Sequence, residues 1–228
     1  MKPGDFVLNI VKEAPKNKKT IVLIRHSKRN SLKGIPDHLR DSVGITPEGI
    51  LMAREFGESL GKILPGKPLF LGHTVAHRCR MTAESIRDGY PPDTPARILG
   101  CEPEIKSPVV NLDKLIAIRN ELGWREGIRR WLDQEIPGNI MQDPHQYSDY
   151  VLRNLLSCPD SGKQDLLIAI AHDITLFPII SCVFGEKVNT IELLNGIVIT
   201  ADTNMADIQF ADAELSMKAN LNFDRSDR

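Results

Sequence analysis

Two histidines in this chain stand in the same unusual context. The apolar run Thr20-Ile21-Val22-Leu23-Ile24 ends in Arg25-His26, and the run Leu166-Leu167-Ile168-Ala169-Ile170-Ala171 ends in His172-Asp173. A cation or an imidazole adds little to packing at such a place. Chemically the types are well matched, because arginine forks grip oxyanions, neutral imidazole is a nucleophile and a carboxyl carries a proton. A third basic cluster, Arg78-Cys79-Arg80, falls between the two in sequence.

The elements around these residues are those that would bring them together. Runs rich in β-branched and aliphatic residues read as buried parallel strands, and open α/β sheets bind ligands outside the carboxyl ends of such strands. Strands are predicted at 20–24, at Leu69-Phe70-Leu71-Gly72, at Arg97-Ile98-Leu99, at 166–171, and late in the chain at 196–200 and 207–210. Thr46-Pro47-Glu48 opens a helix: Thr46 suits the N-cap, Pro47 the first position and Glu48 the positive end of the dipole. Further helices are predicted at about 76–88, which carries Arg78, at 112–135, at 145–157 and at 174–183, where Pro178 should kink the helix or divide it. Residues 1–19 read as a lead-in, and the tail after Met217 reads as loose. The reading is one α/β domain over 1–228: a three-layer α/β/α sandwich with a mostly parallel central sheet. A cap insertion at about 90–160 covers the site.

Composition narrows the class. The 228 residues are 41% hydrophobic and 26% charged with a formal net charge of -1, so no global field points to nucleic acid or an anionic membrane. No secretion signal opens the chain, and no stretch reaches the roughly 18 apolar residues of a membrane span. The four cysteines, Cys79, Cys101, Cys158 and Cys182, have no C-x-x-C pairing and read as free thiols of a reducing, cytoplasmic compartment.

Four segments, in order, resemble the histidine phosphatase superfamily of acid phosphatases and phosphoglycerate mutases. Arg25-His26-Ser27-Lys28-Arg29 is similar to its Arg-His-Gly signature. Ile45-Thr46-Pro47-Glu48-Gly49 looks like its Leu-Thr-x-x-Gly segment, and Thr74-Val75-Ala76-His77-Arg78-Cys79-Arg80-Met81-Thr82-Ala83 its Ser-x-x-x-Arg-Cys-x-x-Thr-Ala segment. Ala171-His172-Asp173 matches the late His-Asp of the acid phosphatase branch. The resemblance implies His26 as the nucleophile, with Arg25, Arg78 and His172 holding phosphoryl oxygens. It implies Arg29 as a further phosphate ligand and Asp173 as the proton donor. It implies no metal and no cofactor, because arginines take the role of the cation. The substrate expected is a small phosphorylated molecule.

Ser27 replaces the family's glycine and Thr74 its serine; the first is expected to alter the phosphate loop slightly, with Ser27 still lining it. His77 is expected to line the pocket. His73 and His77, four apart, read as strand-end and helix-start residues rather than a metal pair. Asp173 also suits a helix N-cap, a role compatible with proton donation. Glu84, a rival donor, reads as a surface residue. Trp124 and Trp131 read as packing a cap helix and Arg125, Arg129 and Arg130 as its solvated face. Alternatives are a protein phosphohistidine phosphatase, a phosphoglycerate mutase and a non-catalytic phosphate-binding module. Arg29 and His172-Asp173 argue against the mutase. Substrate identity and oligomeric state stay open.

Overall fold

The computed structural model describes residues 1–158, 165–188, 190–202 and 205–222. Strands β1 (Lys19–Arg25), β2 (Leu69–His73), β3 (Ala96–Gly100), β4 (Leu166–Ala171), β5 (Gly196–Ala201), β6 (Met205–Ala211) and β7 (Ser216–Asn222) form one sheet in the order β3-β2-β4-β1-β5-β6-β7. The four strands β3, β2, β4 and β1 run parallel, and β5, β6 and β7 extend the β1 edge antiparallel.

Register positions the site. Arg25 is level with Ala171 across β1 and β4, and His73 is level with Ile170 across β2 and β4. The residues that follow these strand ends, His26, His172 and Thr74, therefore leave the sheet side by side.

Both faces of the central strands are covered, which is why their sequences are continuously apolar. Ile21, Leu23, Leu167, Ala169 and Ala171 face α5 (Trp124–Leu132), α6 (Pro144–Ser157) and α7 (Asp173–Phe184). Val22, Ile24, Leu166, Ile168 and Ile170 face α1 (Asp5–Glu13), α2 (Pro47–Ile63) and α3 (His77–Gly89). Each fully buried aliphatic side chain stabilises the sheet by about 1.5–3 kcal/mol. The helix α2 starts as its sequence predicts: Thr46 Oγ1 accepts the Gly49 N–H at 3.0 Å, with Pro47 at the first position. It crosses α3 closely at Gly57, where a Cβ would meet the Ile86 carbonyl oxygen at 2.1 Å. That contact fixes α3, and with it Arg78.

Several local expectations differ from the structure. The lead-in contains α1, held by buried Val7, Leu8 and Val11. The tail continues as β7, an edge strand on β6, while 223–228 lie outside the described residues. Pro178 does not divide α7, which runs as one helix. Proline removes the bond to the Ile174 carbonyl, but the buried row Leu176, Phe177, Ile179 and Ile180 holds the helix on the core.

The stretch 90–160 serves several layers. β3 joins the sheet. Within α6, Tyr147, Val151 and Leu155 are fully buried in the main core. Trp131 is buried there too, and its Nε1 donates to the Gln142 carbonyl at 2.7 Å. The predicted helix 112–135 is broken at Gly123 into α4 (Leu112–Leu122), which has no buried residue, and α5. Among the described residues, no helix is long and apolar enough to cross a membrane.

Candidate active site

Strand β1 delivers His26 into a buried position at its carboxyl end, 4% exposed. His26 Nδ1 lies 2.7 Å from the Ser27 carbonyl oxygen. A carbonyl only accepts, so Nδ1 carries the ring proton and Nε2 keeps its lone pair. Burial pushes the His26 pKa down to about 3, helped by the positive charges of Arg78, Arg25 and Arg29 and opposed by the bond to Ser27. The imidazole is thus neutral, oriented by its own loop and surrounded by cations.

His172 follows β4 and meets His26 edge to face, with ring centroids 5.4 Å apart. Burial, then Arg78, holds its pKa well below the usual histidine value. Arg78 Nη2 approaches His172 Nδ1 at 3.5 Å, and His172 Nε2 lies 3.2 Å from Thr74 Oγ1. An arginine only donates, so Nδ1 accepts and Nε2 donates its N–H to Thr74. Thr74, at the end of β2, therefore sets the ring's tautomer and rotation.

The cations come from three elements. Arg25, the last residue of β1, donates from Nη1 to the Ile191 carbonyl at 2.5 Å, and its Nη2 lies 3.4 Å from Asp173 Oδ2. Arg78, in the first turn of α3, donates from Nη1 to the Arg40 carbonyl at 2.9 Å and pairs through Nη2 with Asp41 at 3.3 Å. The Nε atoms of both arginines are buried and have no hydrogen-bond partner among the described residues. Arg29 is half-buried, and burial with repulsion from Arg78 and Arg25 lowers its pKa. Three guanidinium groups near one neutral imidazole make a strong oxyanion site.

Neither a protein-family model nor a curated protein sequence matches this chain. Solved structures do resemble it. YhfR from Bacillus stearothermophilus is 11% identical over 81% of this chain and 92% of that one, with a TM-score of 0.54. A phosphoglycerate mutase from Bacillus anthracis is 11% identical over 82% of this chain and 90% of that one, also at 0.54. A candidate α-ribazole-5′-P phosphatase from Escherichia coli is 15% identical over 91% of this chain and 97% of that one, at 0.53. The chain has the histidine phosphatase fold.

Within the histidine phosphatase fold, Ser27 is a local variation that the structure explains. Its hydroxyl donates to the Gly49 carbonyl at 2.7 Å, and its N–H donates to Thr82 Oγ1 at 3.1 Å. The side chain is fully buried and ties the loop after β1 to the start of α2. Gly49 completes the joint, since a Cβ there would meet the Lys28 carbonyl oxygen at 2.2 Å.

Asp173 is the first residue of α7, not its N-cap; His172 holds that position and makes no side-chain capping bond. Asp173 Oδ1 accepts the Ile174 N–H at 2.9 Å while Oδ2 faces Arg25. His77 is exposed at the start of α3, and His73 is buried with Nδ1 2.9 Å from the Thr74 carbonyl oxygen. Glu84 pairs with Arg80 at 2.9 Å. Cys79 is buried behind His172, and burial raises its thiol to about 12. Among the described residues, no group of three or more His, Cys, Asp or Glu is arranged to hold a metal ion.

Nothing in the sequence marks Thr74 as the partner of His172, or Arg40 and Asp41 as the partners of Arg78. The residues Thr74 and His172 are 98 apart in sequence, so only the β2–β4 register reveals the pair.

Proposed function

We propose that this protein is a phosphomonoesterase that works through a phosphohistidine on His26, with arginine charge in the role a metal ion fills elsewhere. The observation that carries the reading is the His26 ring itself. Its proton is committed to the Ser27 carbonyl and its Nε2 keeps a lone pair, while the ring meets His172 edge to face and feels the charges of Arg78, Arg25 and Arg29.

Phosphoryl transfer asks for positioning and for charge on the equatorial oxygens. Arg25, Arg29 and Arg78 supply that charge, and their forks match the oxygens pairwise. The buried Nε groups of Arg25 and Arg78 are further donors aimed at no protein acceptor among the described residues. In the first step His26 Nε2 forms a bond to phosphorus as the bond to the leaving oxygen breaks. Asp173 is the group that delivers a proton to that oxygen. In the second step water attacks the phosphohistidine and passes a proton to Asp173. The N–P bond breaks, its electron pair returns to Nε2, and phosphate leaves. Thr74 fixes the tautomer and rotation of His172 against the face of His26.

The substrate class proposed is a small phosphorylated molecule. The test is hydrolysis of p-nitrophenyl phosphate in the presence of EDTA. Wild-type protein should turn over and His26→Ala should not; full activity in His26→Ala would refute the reading.

A further inference from the structure

We propose that Asp41 is a built-in competitor for the phosphoryl group on Arg78, and so sets how tightly the site holds phosphate. The inference rests on the reading of this pocket as a phosphoryl site.

Arg78 already holds anionic and polar oxygen. Asp41 Oδ1 is 3.3 Å from Nη2, and the Arg40 carbonyl oxygen is 2.9 Å from Nη1. Both come from one 3₁₀ turn, Asp37–Ser42. The two partners differ in freedom: the Arg78 side chain is 11% exposed, whereas that of Asp41 is 65% exposed. The arginine is fixed by the core and the carboxylate stands at the solvent edge, able to turn away without unpacking anything.

The turn carries an internal ion pair and one ion pair to α4. Asp37 Oδ1 pairs with Arg40 Nε at 2.9 Å and with Arg119 Nη1 of α4 at 3.6 Å. The Arg40 carbonyl keeps the backbone of the turn on Arg78, while the Asp41 side chain is free to exchange. A carboxylate and a phosphate cannot share one guanidinium without repelling each other at contact distance. A phosphate that takes Nη2 displaces Asp41, in substrate and in product alike. The penalty falls on ground-state binding and hastens product release.

The experiment is calorimetric titration of inorganic phosphate into wild type, Asp41→Asn and Glu84→Gln. Glu84→Gln removes the same unit of charge from an α3 carboxylate paired with Arg80. Asp41→Asn should bind phosphate about three- to tenfold more tightly, and Glu84→Gln should match wild type. The product-inhibition constant for phosphate should fall by the same factor in Asp41→Asn. A merely structural role for Asp41 gives no gain in affinity. Equal or weaker binding in Asp41→Asn overturns the inference, as does an equal gain in Glu84→Gln. If neither wild type nor Asp41→Asn binds phosphate, the functional reading falls and the inference with it. Binding that is the same in both removes the inference alone.

Discussion

The imidazole rings of His26 and His172 meet edge to face at 5.4 Å between centroids and 71° between planes. Two neutral histidines in contact, walled by arginines, are an arrangement that water would dissolve if it were exposed. Burial keeps both rings uncharged at neutral pH. It also makes the fold sensitive to acid.

In the unfolded chain each histidine protonates near pH 6.5, whereas native His26 does so only at about 3. Between those values the unfolded chain binds more protons, so native stability is complete above about pH 6.5 and falls as pH drops toward about 3. Each histidine contributes a slope of up to about 1.4 kcal/mol per pH unit. Urea midpoints at several pH values between about 7 and 4 should fall steeply in wild type and less steeply in His26→Ala and His172→Ala. Equal slopes in all three proteins would contradict the burial argument.

Asp173→Asn should separate leaving groups. Proton donation contributes roughly 10²–10⁴-fold where the leaving oxygen is basic. Alkyl phosphate hydrolysis should therefore drop by about that factor, while p-nitrophenyl phosphate, whose leaving group needs little help, should lose much less. Equal losses on both substrates would assign Asp173 to holding Arg25 rather than to proton transfer.

Thr74→Val removes the acceptor of the His172 Nε2 proton at a buried position, where Thr74 is 7% exposed. The ring is then free to rotate, and kcat should fall about tenfold with little change in KM. Thr74→Ser keeps the oxygen and should restore most of the rate. A Thr74→Ser variant as slow as Thr74→Val would place the effect in the methyl packing instead.

Ser27→Ala deletes the buried bond to the Gly49 carbonyl and should cost about 1–3 kcal/mol of stability, because that acceptor is left unpaired. Its activity should stay near wild type, since the serine hydroxyl points away into the joint with α2. Gly49→Ala places a methyl 2.2 Å from the Lys28 carbonyl oxygen, so Arg29 must shift with its neighbour. That variant should lose both stability and phosphate affinity. Thermal denaturation with and without phosphate distinguishes the two cases.

The central sheet was legible because its strands are buried on both faces: Thr20–Ile24 and Leu166–Ala171 have no polar interruption to confuse with a helix face. Thr46-Pro47-Glu48 carries its own start signal, and the side-chain bond to Gly49 forms as expected. What escaped was held by tertiary contact alone. Val7, Leu8 and Val11 are too few to announce α1 before the sheet and α2 are in place to bury them. β7 alternates polar and apolar weakly and exists because β6 offers it a free edge. Arg25, His26, Arg78 and His172 stand out in the sequence as misfits at two strand ends and a helix start, and the fold brings His26, His172 and Arg78 together. Asp41 and Arg40 sit in a polar loop where nothing in sequence tells a partner of Arg78 from a solvated charge, and only the fold brings that turn to the mouth.

The most direct measurement is mass spectrometry of a phosphoenzyme. Wild type, mixed rapidly with p-nitrophenyl phosphate and quenched in alkali, should carry one phosphoryl group on an acid-labile histidine, mapped to the peptide containing His26. The label should be absent in His26→Ala and should persist longer in Asp173→Asn. Turnover with no label on His26, or a label that maps to another residue, would contradict the account.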